Sequence, residues 1–133
     1  MLDLKGLADA FVERFNRKDQ DGMVELLCED ATAQVIGSSF PEECGRLDIS
    51  KTSFSYLLAD GDSPLEAEVR IILGEILILL RKESGGDLDV IIRILERDGK
   101  IVRIEYLVTQ YRRAEMVRLV EPLGINVCPP EEN

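Results

Sequence analysis

Three tight-turn signals in the second half of the chain constrain its fold more than anything else in the sequence. Gly74-Glu75, Gly85-Gly86 and Asp98-Gly99 each lie between apolar, β-branched runs. Such dipeptides supply positive φ at little steric cost, as two-residue hairpin turns require. They predict a four-stranded antiparallel meander over residues 65–111. They also predict its register. The first turn pairs Ile71 with Ile78 and Val69 with Leu80, and the second pairs Leu80 with Ile91 and Ile78 with Arg93. The third pairs Leu95 with Val102, Arg93 with Ile104, and Ile91 with Tyr106. One apolar face results, running from Ala67, Val69, Ile71 and Leu73 through Ile76, Ile78 and Leu80 to Ile91, Leu95, Val102, Ile104, Tyr106 and Val108.

Helices must cover that face. Leu4, Leu7, Ala8, Phe11 and Phe15 recur at helical spacing, so residues 2–17 read as an amphipathic helix. Asp19 opens a second helix that ends near Glu29, and residues 31–36 read as a short strand. Residues 37–47 are irregular, with Gly, Ser and Pro. Asp48 or Ser50 caps a third helix through Leu58, which Asp60-Gly61-Asp62-Ser63-Pro64 stops. A final helix covers residues 112–123, with Gly124 as its stop. The domain therefore spans residues 1–124, and residues 125–133 form an extended acidic tail.

The other sheet face carries Glu68, Arg70, Arg81, Arg103 and Glu105 among Leu77, Leu79, Val90, Ile92, Ile94 and Leu107. It is too apolar for free solvation, and such patches mark interaction surfaces. A homodimer through this outer face is the expectation, with a solvated face rich in aliphatic residues as the alternative.

Arg93 is the odd residue on the predicted inner face. A buried guanidinium must be paired, and its fork suits a carboxylate or phosphate. One reading is an apolar pocket in which Arg93 anchors a small organic anion. Tyr106 then adds a hydroxyl, with Tyr56, Gln110 and Arg46 at the mouth. Two other readings stay open: Arg93 pairs with Glu13 or Asp9 of the first helix, or a β-bulge turns it to the exterior. Beside Arg93, the Tyr106 phenol would have a lowered pKa and could serve as an acid or base.

At 133 residues the chain is long enough for one well-packed domain. Its net charge of −10 argues against nucleic acid, which needs a basic footprint. Without an apolar run of membrane-spanning length, no membrane partner is expected. The N-terminal segment carries acids, unlike a targeting peptide. Cys28, Cys44 and Cys128 cannot all pair within one chain, which suits a cytoplasmic, reducing setting. Histidine is absent, which removes the commonest base and metal ligand. Neither a metal site nor a cofactor is expected. Pro41-Glu42-Glu43-Cys44 reads as a solvated loop.

The element order, together with several motifs, resembles the nuclear transport factor 2-like superfamily, in particular its SnoaL-like branch. Phe11-Val12-Glu13-Arg14-Phe15-Asn16, Asp19 and Asp21-Gly22-Met23 resemble the opening pattern of that branch. Leu26-Leu27 with Glu29-Asp30-Ala31-Thr32 is similar to its entry into the first strand. Gly45-Arg46 and Asp98-Gly99-Lys100-Ile101 match its later loop and turn. The resemblance implies a cone-shaped α+β barrel, a curved antiparallel sheet wrapped around N-terminal helices, with a pocket inside the cone. It does not carry over a catalytic set. The tyrosine and aspartate of ketosteroid isomerase-like enzymes fall at Phe11 and Val35. The charged positions of limonene epoxide hydrolase-like members fall on the run Ile76-Leu77-Ile78-Leu79 and on Tyr106. The histidine often used by SnoaL-like cyclases has no counterpart. The expected function is therefore a non-catalytic, dimeric binding or interaction module. The alternative is an isomerase, cyclase or hydrolase acting on a small apolar acid, its catalytic residues unknown.

Overall fold

A computed structural model describes residues 1–59, 64–83 and 85–129. The expected helix stop at 60–63 and the tip of the tail at 130–133 lie outside them. Helix α1 (Leu4–Asn16) starts at Asp3, whose side chain accepts the Gly6 N–H at 2.8 Å. Helix α2 (Gln20–Glu25) starts the same way at Asp19, which accepts the Gly22 N–H at 3.0 Å. Both are side-chain N-caps, and each satisfies a donor that a helix start leaves orphaned.

Strand β1 (Leu27–Val35) follows, then the two-residue β2 (Glu43–Cys44). A continuous helical stretch comes next: α3 (Arg46–Ile49), a π-helical turn (Ser50–Phe54) and α4 (Ser55–Leu58). The meander is β3 (Leu65–Ile72), β4 (Glu75–Lys82), β5 (Leu88–Arg97) and β6 (Lys100–Val108). Helix α5 (Thr109–Val120) closes the chain, kinked at Arg112, with a 3₁₀ turn at Glu121–Leu123 and a left-handed Gly124. The strand order is β2-β1-β6-β5-β4-β3 in a curved, unclosed sheet. The sheet is mixed rather than antiparallel throughout, because β1 runs parallel to β6.

The register differs from the expected one at all three turns. The first turn is Leu73-Gly74, both residues at positive φ, so Ile71 pairs with Ile76 and Val69 with Ile78. This shift preserves which side chains face inward. The second connection is not a two-residue turn: Lys82 N–H donates to Asp87 O at 2.9 Å across the intervening residues. Beyond it Arg81 pairs with Leu88 but Leu80 with Val90, leaving Asp89 as an extra residue. The third turn is Asp98-Gly99 as expected, yet Glu96 pairs with Ile101 and Leu95 with Arg103, leaving Val102 extra. Each extra residue is a bulge, and each reverses the facing of the strand beyond it.

The two reversals cancel for β6 and leave β5 alone inverted. Val90, Ile92 and Ile94 face inward, and join Ala67, Ile78, Leu80, Ile104 and Tyr106 against Leu7, Phe11 and Phe15 of α1. Ile91 faces outward. Arg93 does too, paired with Glu75 and, across β6, with Glu105. The expected internal partners Glu13 and Asp9 instead pair with Arg17 and Lys5 along α1.

The outer face is apolar at Leu77, Leu79, Leu88, Ile91 and Leu107, and the chain covers it itself. Met116 and Val120 of α5 pack there with Ile125 and Val127. The segment after Gly124 is thus no free tail as far as Pro129: Leu88 N–H donates to Asn126 O and Cys128 N–H to Leu88 O. The exposed apolar patch that argued for a dimer through this face is therefore occupied. Among the described residues, no helix is long and apolar enough to cross a membrane.

Truncating a fully buried side chain on either side of the sheet costs about 2–5 kcal/mol. Ile92→Ala and Met116→Ala are both expected to lose stability on that scale in urea titrations. A neutral Met116→Ala would show that α5 is not part of the folded core.

Candidate functional site

A cavity of about 910 Å³ opens where β6 ends, between the helical stretch after β2 and the loop that leads into β2. Tyr106 and Val108 of β6, Val90 of β5 and Val35 of β1 supply inner wall. Tyr56 and Phe40, 78% and 59% exposed, stand at its mouth, where Phe40 meets Tyr111 edge-on.

Glu43 is the charged residue that the fold drives inside. It pairs with Ala33 across the short β1–β2 ladder, and Ala33 belongs to the inner core. Residues opposite one another in an antiparallel pair share a face. Glu43 therefore points inward at 8% exposure, while Cys44 beside it is exposed. Gly45, at φ +91, then turns the chain into α3 and donates its N–H to Ala31 O at 2.7 Å.

The π-helical turn supplies the partner. Ser53 N–H donates to Glu43 Oε1 at 3.0 Å, and Ser53 Oγ lies 2.7 Å from the Tyr106 hydroxyl. A π turn within a helix is rare and frequent at functional sites. Gln20 steadies this one from α2, its side-chain amide donating to Ser50 O at 2.8 Å.

Burial pushes the Glu43 carboxyl above the ordinary glutamate pKa; the bonds from Ser53 act the other way, and the charge of Asp48 adds to the rise. Burial drives the Tyr106 phenol well above its usual value, against the pull of its Ser53 hydrogen bond, and Glu43 adds to the rise. The site thus sets a buried carboxyl beside a phenol and a serine hydroxyl.

Of the residues singled out in the sequence, Tyr106, Tyr56 and Gln110 line this cavity. Arg93 does not, because the inverted β5 places it on the outer face, so it cannot lower the Tyr106 pKa as expected. Arg46 points elsewhere: its Nε and Nη2 donate to Leu27 O at 2.8 and 2.6 Å. It borders a separate cleft of about 420 Å³ with Cys28, Asp30 and Arg97. Glu43 and Ser53 escaped sequence reasoning. A two-residue strand has no readable alternation, and nothing in the run Ser50–Phe54 announces a π turn. The two positions at which the ketosteroid isomerase resemblance places a tyrosine and an aspartate are apolar here, with Phe11 sealed in the core and Val35 on the cavity wall.

Comparison with solved structures matches the fold. A protein of unknown function from Burkholderia xenovorans, named as NTF-2 like, superposes with a TM-score of 0.59 at 19% identity, over 78% of this chain and 80% of that one. The chain has the nuclear transport factor 2-like fold. A protein from Kribbella flavida, provisionally named a ketosteroid isomerase, gives a TM-score of 0.57 at 16% identity, covering 77% of this chain and 74% of its own. A protein from Xanthomonas campestris, provisionally named a polyketide cyclase, gives 0.52 at 22% identity, covering 87% and 95%. No protein-family model and no curated protein sequence matches the chain.

A buried hydroxyl that loses its partner costs about 1–3 kcal/mol. Ser53→Ala, which strands the Tyr106 hydroxyl, is expected to lower stability on that scale, whereas Ser53→Ala combined with Tyr106→Phe recovers part of the loss. Glu43 gives a pH signature. Its folded pKa is raised, so the native state holds more protons than the unfolded chain above pH 4.5, and its contribution falls as pH rises through that window. Glu43→Gln removes this dependence. The stability of the variant relative to wild type should therefore rise with pH from about 4.5 upward, read from urea titrations at several pH values, and then level off.

Proposed function

We propose that the protein binds a small, largely apolar molecule in the cone cavity, with the polar end of that molecule on Glu43, Ser53 and Tyr106. The supporting observation is the cavity itself: about 910 Å³ left open beside a buried polar cluster. Protein interiors normally close-pack, and pockets of roughly 300–1,000 Å³ with a few convergent polar groups are the usual form of small-molecule sites. The binding reading also agrees with the apolar residues Phe11 and Val35, at which the resemblance would place catalytic side chains.

A ligand at 100 times its dissociation constant adds about 2.7 kcal/mol to stability. A thermal-shift screen of compact apolar compounds should produce such hits, and Val108→Trp, which fills the cavity, should abolish them while the protein remains folded. Failure of a diverse apolar set to shift the wild type would overturn the binding reading.

Proton transfer within the same cavity is the second reading, favoured by the raised pKa of Glu43. Two structural neighbours are provisionally named an isomerase and a cyclase. Under this reading Glu43→Gln lowers turnover of a bound substrate at saturation by roughly 10²–10⁴-fold.

A further inference from the structure

We infer that the occupant of the cone cavity is an organic cation, an ammonium carried on an apolar body, with the ammonium held between Glu43 and the aromatic residues at the mouth. The inference rests on the binding reading above and assigns its ligand class.

Two independent features of the cavity lead to it. The first is charge. Glu43, Asp48 and Asp89 belong to the lining, and among its described residues Lys51 is the basic one. Glu42 also borders the cavity but pairs with Arg103 at 3.2 Å on the outer side. The lining thus holds more acid than base, and an excess of one sign in a cleft focuses the field and draws in the opposite sign. The net charge of the chain, −10, has the same sign. A carboxylate ligand would enter against this acidic excess, and Arg93, the residue that suggested an anion, lies on the other side of the sheet.

The second feature is aromatic. The chain has three tyrosines, and all of them, Tyr56, Tyr106 and Tyr111, line the cavity, with Phe40 beside them. The remaining phenylalanines, Phe11, Phe15 and Phe54, are core residues. Ring faces attract ammonium groups, and aromatic clusters are a recurring means of binding alkylated ammonium. Carboxylates together with aromatic residues in one lining suit a cation better than an anion.

Glu43 gives the pairing its energetic logic. A buried carboxylate with no counter-charge is costly. An ammonium in the cavity supplies the counter-charge in a desolvated setting, and removal of one partner from such a pair is heavily penalised.

The test uses one skeleton with three head groups: naphthylmethylamine, naphthalenemethanol and naphthoic acid, titrated calorimetrically into the full chain. The amine is expected to bind at least about ten-fold more tightly than the alcohol, a difference of 1.4 kcal/mol, and the acid more weakly than either. Glu43→Gln should remove the preference for the amine, the amine losing at least about ten-fold more affinity than the alcohol. Equal or tighter binding of the alcohol or the acid overturns the cation assignment and leaves the cavity as a binding site. Absence of binding by all three, with no hits from the apolar screen, overturns the binding reading and the assignment with it. Should Glu43→Gln fail to fold, Tyr111→Leu serves in its place, with the same selective loss for the amine expected.

Discussion

The extra residue at Asp89 decides which side of β5 is buried, and the rest of the molecule follows from that inversion. An added residue in one strand of an antiparallel pair exchanges the two faces beyond it. With Asp89 bulged, Ile92 and Ile94 enter the inner core, and Arg93 joins Glu75 and Glu105 outside. Without it, a guanidinium would project among apolar residues at a cost of several kcal/mol. The bulge at Val102 restores the facing of β6 and so returns Tyr106 to the cavity.

The cavity depends on a second local departure from regular structure. The helical stretch after β2 contains a π turn, and Ser53 in that turn bonds both Glu43 and Tyr106. Three elements are tied at one point: the short strand carrying Glu43, the helical stretch just after it carrying Ser53, and the last strand carrying Tyr106. Burying a carboxyl there opposes ionisation, and the Ser53 bonds offset part of that penalty. Such a residue adds little to stability, but it gives the cavity a polar centre with two hydroxyl neighbours.

The inner and outer faces are covered by different parts of the chain. α1 covers the inner face, and its Asn16 side chain bonds the backbone of edge strand β3 at both Ala67 N and Ala67 O. This occupies backbone groups on the open edge, which would otherwise be a template for another strand. α5 and the segment beyond Gly124 cover the outer face, where Arg113 also bonds the carbonyls of Val127 and Cys128. Shared fold with distant structures supplies the frame for both coverings but not the chemistry, since one fold hosts many functions.

By itself the sequence determined the long elements and their order, but not β2 or the π turn. The spacing of Leu4, Leu7, Phe11 and Phe15, the caps Asp3 and Asp19, and the turn at Asp98-Gly99 are local signals, set by interactions within a few residues. The inward facing of Ala67, Ile78 and Leu80 was legible for the same reason, because strand alternation is local. Tertiary structure alone decided the facing of Arg93, the self-coverage of the outer face, and the burial of Glu43. A bulge costs little locally and has no distinct residue signature, so its position follows from which register buries the most apolar surface. Glu43 is buried by its pairing with Ala33 and by a serine in the π turn that follows, contacts that exist only once the short strand has paired and the helical stretch has packed against it.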